Sequence, residues 1–252
     1  MRLVRFRFGD RIATGVLDGG EVQPLRGTFF EAPVPTGEAI PADDVRLLAP
    51  VLPSKVVAVG RNYAEHAREM DEQVPDEPLT FLKPSTSVIG PGDPIVYPPI
   101  SERMDYEGEL AVVIGRLAHR LSLEDAVLAI LGYTCGNDVT LRDLQARDGQ
   151  WTRAKGFDTS CPLGPWIETD VDPADLELTT RVNGEVRQQA RTSDLTFGPA
   201  GLVAFVSTFM TLLPGDVIMT GTPAGIGPLQ PGDRVEVEIE GIGSLQNPVV
   251  AA

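Results

Sequence analysis

The segment DYEGELAVVIG, residues 105–115, places two acidic residues directly before a run of apolar ones. In a β-strand, side chains two positions apart point to the same face, so the segment predicts a strand with Glu107 and Glu109 side by side. Both faces of this strand become apolar after Glu109. We therefore expect the strand to enter the core and to bring two carboxylates into a partly dry space.

A third acidic residue, Asp138, follows another strand-like run, Tyr133–Cys135, in the segment GYTCGNDVTLRD. Carboxylates held together out of water are unfavourable unless one is protonated or a cation compensates them. An all-oxygen set favours Mg²⁺, Mn²⁺ or Ca²⁺ over zinc. The local pattern alone also allows a second interpretation, in which Glu107 and Glu109 merely solvate an exposed strand face.

The flanking segments predict mostly strands. KVVAVG, residues 55–60, is an apolar run between breakers and predicts a buried strand, followed by helix formers from Tyr63 to Met70. Asn183-Gly184 between two β-rich runs predicts a hairpin. Helices are predicted only in a few places, such as Ser122 to Leu131 and residues 199–209. A β-rich α+β domain is therefore favoured over a doubly wound sheet.

The first part of the chain differs from the rest. Residues 1–25 alternate polar and apolar side chains around the turn Asp18-Gly19-Gly20 and predict a small β module. Residues 32–53 contain five prolines and predict a linker or an irregular packed arm. We place a boundary near residue 50, with an N-terminal module and arm over 1–50 and a catalytic domain over 51–252.

Composition narrows the classes of function. The chain has 252 residues and a formal charge of −15, so it repels nucleic-acid backbones and anionic membranes. Cys135 and Cys161 lack a CxxC spacing and predict free thiols near the core. The N-terminus does not resemble a signal peptide, and no apolar run reaches the length of a membrane span, so we expect a cytoplasmic protein.

Other residues of the sequence are candidates for catalysis or for ligand binding. In a helix, His66 and Glu69 share one face, and a carboxylate beside an imidazole suits a general base, although a surface pair has the same spacing. Lys155 and Arg142 are candidates to balance the acids, or are ordinary surface cations. The loop around Thr222 offers hydroxyls and N–H groups for a carboxylate, while a phosphate loop is disfavoured because the Walker pattern is absent.

Seven motifs, read in order, resemble the fumarylacetoacetate hydrolase family, in particular its acylpyruvase-like and bacterial isomerase or decarboxylase branch. The resemblance covers about residue 54 to the end, and the first 50 or so residues resemble the variable N-terminal module of bacterial members only loosely. The motifs are VVAVGRNYAEHAREM, FLKPSTSVIGPGD, DYEGELAVVIG, GYTCGNDVTLRDLQ, WTRAKGFDTSCPLGPW, RVNGEVRQ and VIMTGTPAGIG.

The resemblance implies a mixed β-sandwich roll, a homodimer, and Mg²⁺ or Mn²⁺ bound by Glu107, Glu109 and Asp138. It also implies a water-activating pair, His66 and Glu69, on a lid that orders with ligand. Lys155 matches a residue that stabilises an oxyanion. The substrate-binding residues that it implies are Arg61, Arg142, Gln145 and Thr222.

These implications lead to a functional hypothesis. A small 2-oxo acid binds the cation through its carboxylate and 2-oxo oxygens, and reaction proceeds through a stabilised enolate. Hydrolysis of the C–C bond of an acylpyruvate is the leading reaction, and oxaloacetate decarboxylation or tautomerisation and isomerisation of a 2-hydroxydienedioate are alternatives. A non-catalytic 2-oxo acid binding protein is a remote alternative. A carbohydrate-binding module with structural Ca²⁺ is disfavoured, because aromatic residues make up only 6% of the chain and are not clustered.

Overall fold

The computed structural model of the chain describes residues 1–31 and 33–252, and strands make up most of its regular structure. The helices are α1 (Ala64–Glu69), α2 (Leu123–Ala129), α3 (Arg142–Asp148), α4 (Thr152–Lys155) and α5 (Pro199–Phe209). The strands are β1 (Arg2–Phe8), β2 (Arg11–Asp18), β3 (Glu21–Arg26), β4 (Val34–Pro35), β5 (Ile40–Pro41), β6 (Arg46–Leu48), β7 (Lys55–Gly60), β8 (Leu79–Pro84), β9 (Val88–Ile89), β10 (Ile95–Tyr97), β11 (Met104–Tyr106), β12 (Gly108–Ile114), β13 (Ile130–Asn137), β14 (Thr140–Leu141), β15 (Cys161–Glu168), β16 (Glu177–Val182), β17 (Glu185–Arg191), β18 (Val217–Met219), β19 (Gly227–Leu229), β20 (Arg234–Ile239) and β21 (Gly243–Ala251).

The described strands form three sheets. The largest has the order β4-β3-β2-β1-β15-β13-β12-β18-β7-β8, and most of its pairs are antiparallel, whereas β18 and β7 are parallel. A second sheet has the order β10-β21-β20-β16-β17, and a third has the order β14-β11-β19. The prediction of a β-rich α+β fold with mixed sheets is therefore confirmed.

Strand β12 lies in the middle of this architecture. Every residue of β12 is buried, and the strand pairs with β13 on one side and β18 on the other. Its Leu110 face packs with α5 and with Leu178 and Val237 of the second sheet. Its Val113 face belongs to another core cluster. The predicted entry of this strand into the core is confirmed.

Local predictions are also confirmed. The chain turns at Asn183-Gly184 with φ of 53° and 83°, as a two-residue hairpin turn with both central residues left-handed requires. The Ser122 side chain caps α2 by accepting the Asp125 N–H. Helix α2 ends at Ala129 rather than Leu131, because the chain there joins β13. Both cysteines are buried and free.

The N-terminal residues form the predicted strands, and these continue the large sheet rather than standing apart. Arg2 and Leu3 of β1 pair with Glu168 and Ile167 of β15. The arm after residue 32 contains the short strands β4, β5 and β6, which pair with β3 and β1. The arm is thus more regular than expected, although β4 and β5 are only two residues long and each ends in a proline, a residue that limits strand pairing. The boundary near residue 50 stays a prediction.

Within residues 1–31 and 33–252, every helix is too short or too polar to cross a bilayer.

A buried carboxylate just before β18 binds the residues at the start of β7. Asp216, which is fully buried, accepts hydrogen bonds from Leu213 N at 2.8 Å, Ser54 N at 3.0 Å and Ser54 Oγ at 2.6 Å. It also pairs with Lys55 Nζ at 2.5 Å. Burial alone would raise the pKa of Asp216, but these donors outweigh burial and lower its pKa.

We expect Asp216→Asn to lower the free energy of unfolding at neutral pH by about 2 kcal/mol, the scale of a hydrogen bond to a charged group. Because the folded pKa is lowered, the stabilisation is present above the unfolded pKa of about 3.9 and is lost as pH falls through the folded pKa. Urea unfolding at several pH values measures both effects.

Asp233→Asn is the matched control: Asp233 ends a second Pro-Gly-Asp segment like that of Asp216, and its carboxylate accepts the Gln230 N–H and the Asn183 amide instead of a lysine. A smaller loss is expected there. Equal losses for the two variants, or a loss for Asp216→Asn that persists at low pH, would contradict this account.

Candidate metal centre

Three carboxylates meet where β12 begins and β13 ends. The two strands are antiparallel, and Gly108 of β12 lies opposite Asn137 of β13. Glu107 and Glu109 flank Gly108, and Asp138 follows Asn137, so the pairing itself brings the three acids together. One carboxylate oxygen from each of Glu107, Glu109 and Asp138 lies within 4.8 Å of the others, and the three residues are at most 3% exposed.

Gly108 makes this arrangement possible. A Cβ atom at residue 108 would lie 2.1 Å from Thr180 Oγ1 of the second sheet, far inside contact distance. The Gly108 N–H donates to Gln188 Oε1 at 3.0 Å, and its carbonyl accepts from Thr222 Oγ1 at 2.9 Å. The backbone between the two glutamates is therefore clamped against the second sheet, and only glycine fits there.

Cationic side chains surround the three acids. Lys155 Nζ donates to Glu107 Oε2 at 2.8 Å and to Asp138 Oδ2 at 2.7 Å. Lys83 Nζ donates to Asp138 Oδ1 at 2.6 Å and also to the carbonyl of Lys155. Arg142 Nη2 donates to Glu107 Oε1 at 2.6 Å. These bonds satisfy Glu107 and Asp138, which a buried carboxylate requires.

The charges act differently on the two glutamates. Burial would raise the pKa of Glu107, but the positive charges of Lys155 and Arg142 outweigh burial and lower its pKa. Glu107 is therefore held ionised.

Glu109 has the opposite electrostatic environment. Its pKa is raised well above the usual value, first by burial and then by the negative charges of Asp138 and Glu107. Among the described residues, the hydrogen bond that reaches its carboxylate is from Gly221 N at 2.7 Å. Glu109 is thus the acid whose charge the protein compensates least.

The residues present fit a divalent cation. A hard, oxygen-only set is what Mg²⁺ and Mn²⁺ prefer, and a cation beside Glu109 would supply the missing compensation. With all four carboxylates ionised, the buried acids and their cationic partners together carry a net charge of 0, which a dication would change to +2. The groups counted are Asp105, Glu107, Glu109, Asp138, Lys83, Lys155, Arg103 and Arg142.

A cavity of about 770 Å³ opens beside this centre. Its walls combine the charged groups with apolar side chains such as Phe81 and Trp151. Seven of the site residues predicted from the sequence line it, namely Arg61, His66, Glu107, Arg142, Gln145, Lys155 and Thr222.

The predicted histidine and glutamate are paired on α1. His66 Nδ1 lies 3.1 Å from Glu69 Oε2, and His66 is 7% exposed and faces the cavity. The Glu69 carboxylate also accepts the Gly225 N–H at 3.1 Å. Glu69 therefore orients the imidazole and at the same time fastens α1 to the loop after β18.

The predicted substrate-binding residues have different hydrogen-bonding states. Arg142 is shared between Asp105, Glu107 and Gln145 and thus belongs to the charged network. The Thr222 hydroxyl donates to the Gly108 carbonyl, so this O–H is not available for a carboxylate in this arrangement.

Arg61 lies at the cavity mouth and donates to Glu72 Oε1 at 2.7 Å. Its φ of 59° is unusual for a bulky residue. This strained backbone is typical of functional positions.

Sequence reasoning missed Lys83, Asp105 and Gly221 as parts of the centre. Lys83 is fully buried on β8, and the FLKPSTSVIGPGD motif that contains it does not by itself indicate a role for the lysine. Asp105 stands two residues before Glu107 and accepts from Arg103 and Arg142. The acidic alternation of residues 105, 107 and 109 was the available signal for it. The sequence indicated that the loop around Thr222 offers N–H groups to a carboxylate, but not that the Gly221 N–H donates to Glu109.

Comparison with known proteins agrees with the fold. The family model described as fumarylacetoacetate (FAA) hydrolase C-terminal matches residues 55–250, and one described as Rv2993c-like, N-terminal matches residues 1–50. The chain therefore belongs to the fumarylacetoacetate hydrolase family, whose members include enzymes.

Three of the similar proteins cover most or all of the chain. Protein Rv2993c of Mycobacterium tuberculosis is 53% identical over 260 residues, which cover 99% of this chain and 98% of that protein. Rat mitochondrial oxaloacetate tautomerase Fahd2a is 44% identical over 223 residues, or 84% of this chain and 71% of the relative. The crystal structure of 5-carboxymethyl-2-hydroxymuconate delta-isomerase from Mycobacterium smegmatis is 52% identical, with a TM-score of 0.94 over 100% of both chains.

We expect Gly108→Ala to disrupt the centre, because the added methyl group must displace either the backbone between Glu107 and Glu109 or the Thr180 side chain. Overpacking of this kind costs about 1–3 kcal/mol. Thermal unfolding with and without Mg²⁺ should show a lower melting temperature and a much smaller stabilisation by the ion.

Gly201→Ala on α5 is the control, since a Cβ there meets nothing within 4 Å and the melting temperature should not fall. Adding Thr180→Ala to Gly108→Ala removes the clashing oxygen and should restore part of the response to Mg²⁺. If Mg²⁺ stabilises Gly108→Ala alone as much as wild type, the contacts of Gly108 with the second sheet do not position the glutamates.

Proposed function

We propose that the protein is a Mg²⁺- or Mn²⁺-dependent enzyme that acts on a small 2-oxo acid and, with a 2,4-dioxo acid, hydrolyses the C–C bond. The observation that carries the proposal is the buried set of Glu107, Glu109 and Asp138 beside a cavity lined by Glu107, His66 and Lys155. A cytoplasmic location remains a prediction from the sequence, and a homodimer remains a prediction from the family resemblance.

The charge of the site supports an anionic substrate. The centre alone carries no net positive charge, so the dication would supply the attraction for a carboxylate. Arg142 and Lys155 lie on the cavity side of the acids and are positioned to approach the substrate oxygens. The apolar walls formed by Phe81 and Trp151 suit the carbon skeleton.

When bound, the cation supplies Lewis-acid stabilisation of negative charge on the 2-oxo oxygen. The chain contributes the proton transfers and the remaining charge stabilisation. An ammonium group has three donors, and two of those on Lys155 are used by Glu107 and Asp138, which leaves one for a substrate oxygen.

In hydrolysis, His66 takes a proton from water, and Glu69 orients the imidazole through the Nδ1 contact. The water oxygen bonds to C4 of the 2,4-dioxo acid. Lys155 donates a hydrogen bond to the oxyanion that forms on the C4 oxygen. The C3–C4 bond then breaks, and its electron pair moves to C3 and the 2-oxo oxygen as an enolate. Protonation at C3 gives pyruvate, and the C4 fragment leaves as a carboxylic acid.

Tautomerisation or isomerisation is the second candidate, and the named activities of the Mycobacterium smegmatis and rat relatives favour it. It needs the same stabilised enolate but moves only a proton between carbon and oxygen. Decarboxylation of oxaloacetate likewise needs no attacking water.

We expect Glu69→Gln to reduce hydrolysis of acetylpyruvate by about 10²-fold or more, the scale of lost general-base catalysis. Decarboxylation of oxaloacetate should be largely retained, because that reaction requires no activated water. Proton NMR of the products from acetylpyruvate, oxaloacetate and a 2-hydroxydienedioate, with Mg²⁺ and with chelator, separates the three reactions.

Glu65→Gln, an exposed residue of the same helix, is the matched control and should keep every activity. An equal loss of hydrolysis and decarboxylation in Glu69→Gln would contradict the assigned role. Mg²⁺ binding without turnover of any of the three substrates would favour a non-catalytic 2-oxo acid binding protein.

A further inference from the structure

Lys83 is a charged residue of the centre that the mechanism does not use. It lies on β8, opposite Val56 of β7, and its side chain is fully buried. Arg142 and Lys155 line the cavity, whereas Lys83 does not. Burying an ammonium group is costly, so a buried lysine without access to the substrate needs another explanation.

The contacts of Lys83 join a candidate metal ligand to the backbone of the residue assigned to the oxyanion. Its Nζ donates to Asp138 Oδ1 at 2.6 Å and to the Lys155 carbonyl. The same carbonyl accepts the Ser160 hydroxyl at 2.8 Å. Lys83 thus places a positive charge directly against a carboxylate that the cation would also use.

The position of Asp138 does not depend on Lys83 alone. Its second carboxylate oxygen, Oδ2, accepts from Lys155 Nζ at 2.7 Å. Its backbone N–H donates to the Glu107 carbonyl at 2.8 Å, and its own carbonyl accepts the Thr140 hydroxyl at 2.8 Å. Loss of the Lys83 ammonium would therefore remove a charge from the centre, while these other contacts keep the carboxylate in place.

The charge of Lys83 has two opposite effects. It stabilises the Asp138 carboxylate when the cation is absent, and it repels a cation bound to that carboxylate, because charges so close together in a buried site are poorly screened. Without Lys83, the net charge of the groups counted above would be 0 minus 1, or −1, and a dication would change it to +1 rather than +2.

We propose that Lys83 sets the cation affinity of the centre. In the cation-free protein its ammonium replaces part of the charge that the cation supplies, so the carboxylates can be buried without the ion. In the loaded protein the same ammonium weakens binding, which keeps the cation exchangeable with the solution. Lys83 acts through Asp138 and not on the substrate, and the inference rests on the cation site of the proposed function.

Calorimetric titration of Mg²⁺ into wild type and Lys83→Met tests the inference, together with melting temperatures measured with and without Mg²⁺. Methionine is similarly unbranched but carries no charge. Without the cation, the variant should melt at a lower temperature than wild type, because a buried carboxylate loses a partner. It should bind Mg²⁺ about tenfold more tightly, since a nearby positive charge is removed, and its melting temperature should rise more with the ion.

Lys55→Met is the matched control, because it breaks the other pair of a lysine with a buried aspartate. Lys55 lies 2.5 Å from Asp216. Asp216 precedes Val217, which pairs with Val113 at the end of β12 that is far from Glu109. This variant should also melt at a lower temperature, but its Mg²⁺ affinity should equal that of wild type.

A Mg²⁺ affinity of Lys83→Met equal to or weaker than that of wild type would overturn the inference. Lys83→Gln keeps a hydrogen-bond donor without the charge and should also bind Mg²⁺ more tightly. Failure of both variants to fold even in saturating Mg²⁺ would count against the inference as well, because the ion should replace the lost charge. Wild type that binds no Mg²⁺ would instead refute the proposed cation site itself.

Discussion

The antiparallel pairing of β12 with β13 is the constraint on which the site depends. It places Glu107, Glu109 and Asp138 in a buried space where like charges repel strongly. The fold tolerates this because two buried lysines, Lys83 and Lys155, contact two of these carboxylates, Glu107 and Asp138. The register of the two strands therefore fixes the positions of the charged groups.

The compensation is uneven, and that unevenness suggests the function. The lysines and Arg142 satisfy Glu107 and Asp138, while Glu109 keeps a raised pKa beside a single described backbone donor. A dication would remove this imbalance and make the net charge of the centre positive. The same event would make the cavity attractive to an anion, so cation binding and substrate binding should be coupled.

The sequence predicted much of the fold, because its strongest signals are local. β7, the Asn183-Gly184 hairpin and α5 follow from short patterns of apolar and turn residues. The acidic pair also follows from strand periodicity. Contacts between distant segments were not predictable in this way: Thr180 against Gly108, Gly221 against Glu109, and Lys83 against Asp138 depend on how the sheets pack. The ordered motifs, rather than spacing, indicated which polar residues would meet.

A crystal structure of the protein with Mn²⁺ and oxalate, solved with anomalous data, tests the central claim most directly. The account predicts one anomalous peak, at roughly 2.1–2.3 Å from a carboxylate oxygen of each of Glu107, Glu109 and Asp138, with oxalate on its cavity side. A structure without such a peak, in which Lys155 and Lys83 still occupy the carboxylates and oxalate binds elsewhere, would contradict it.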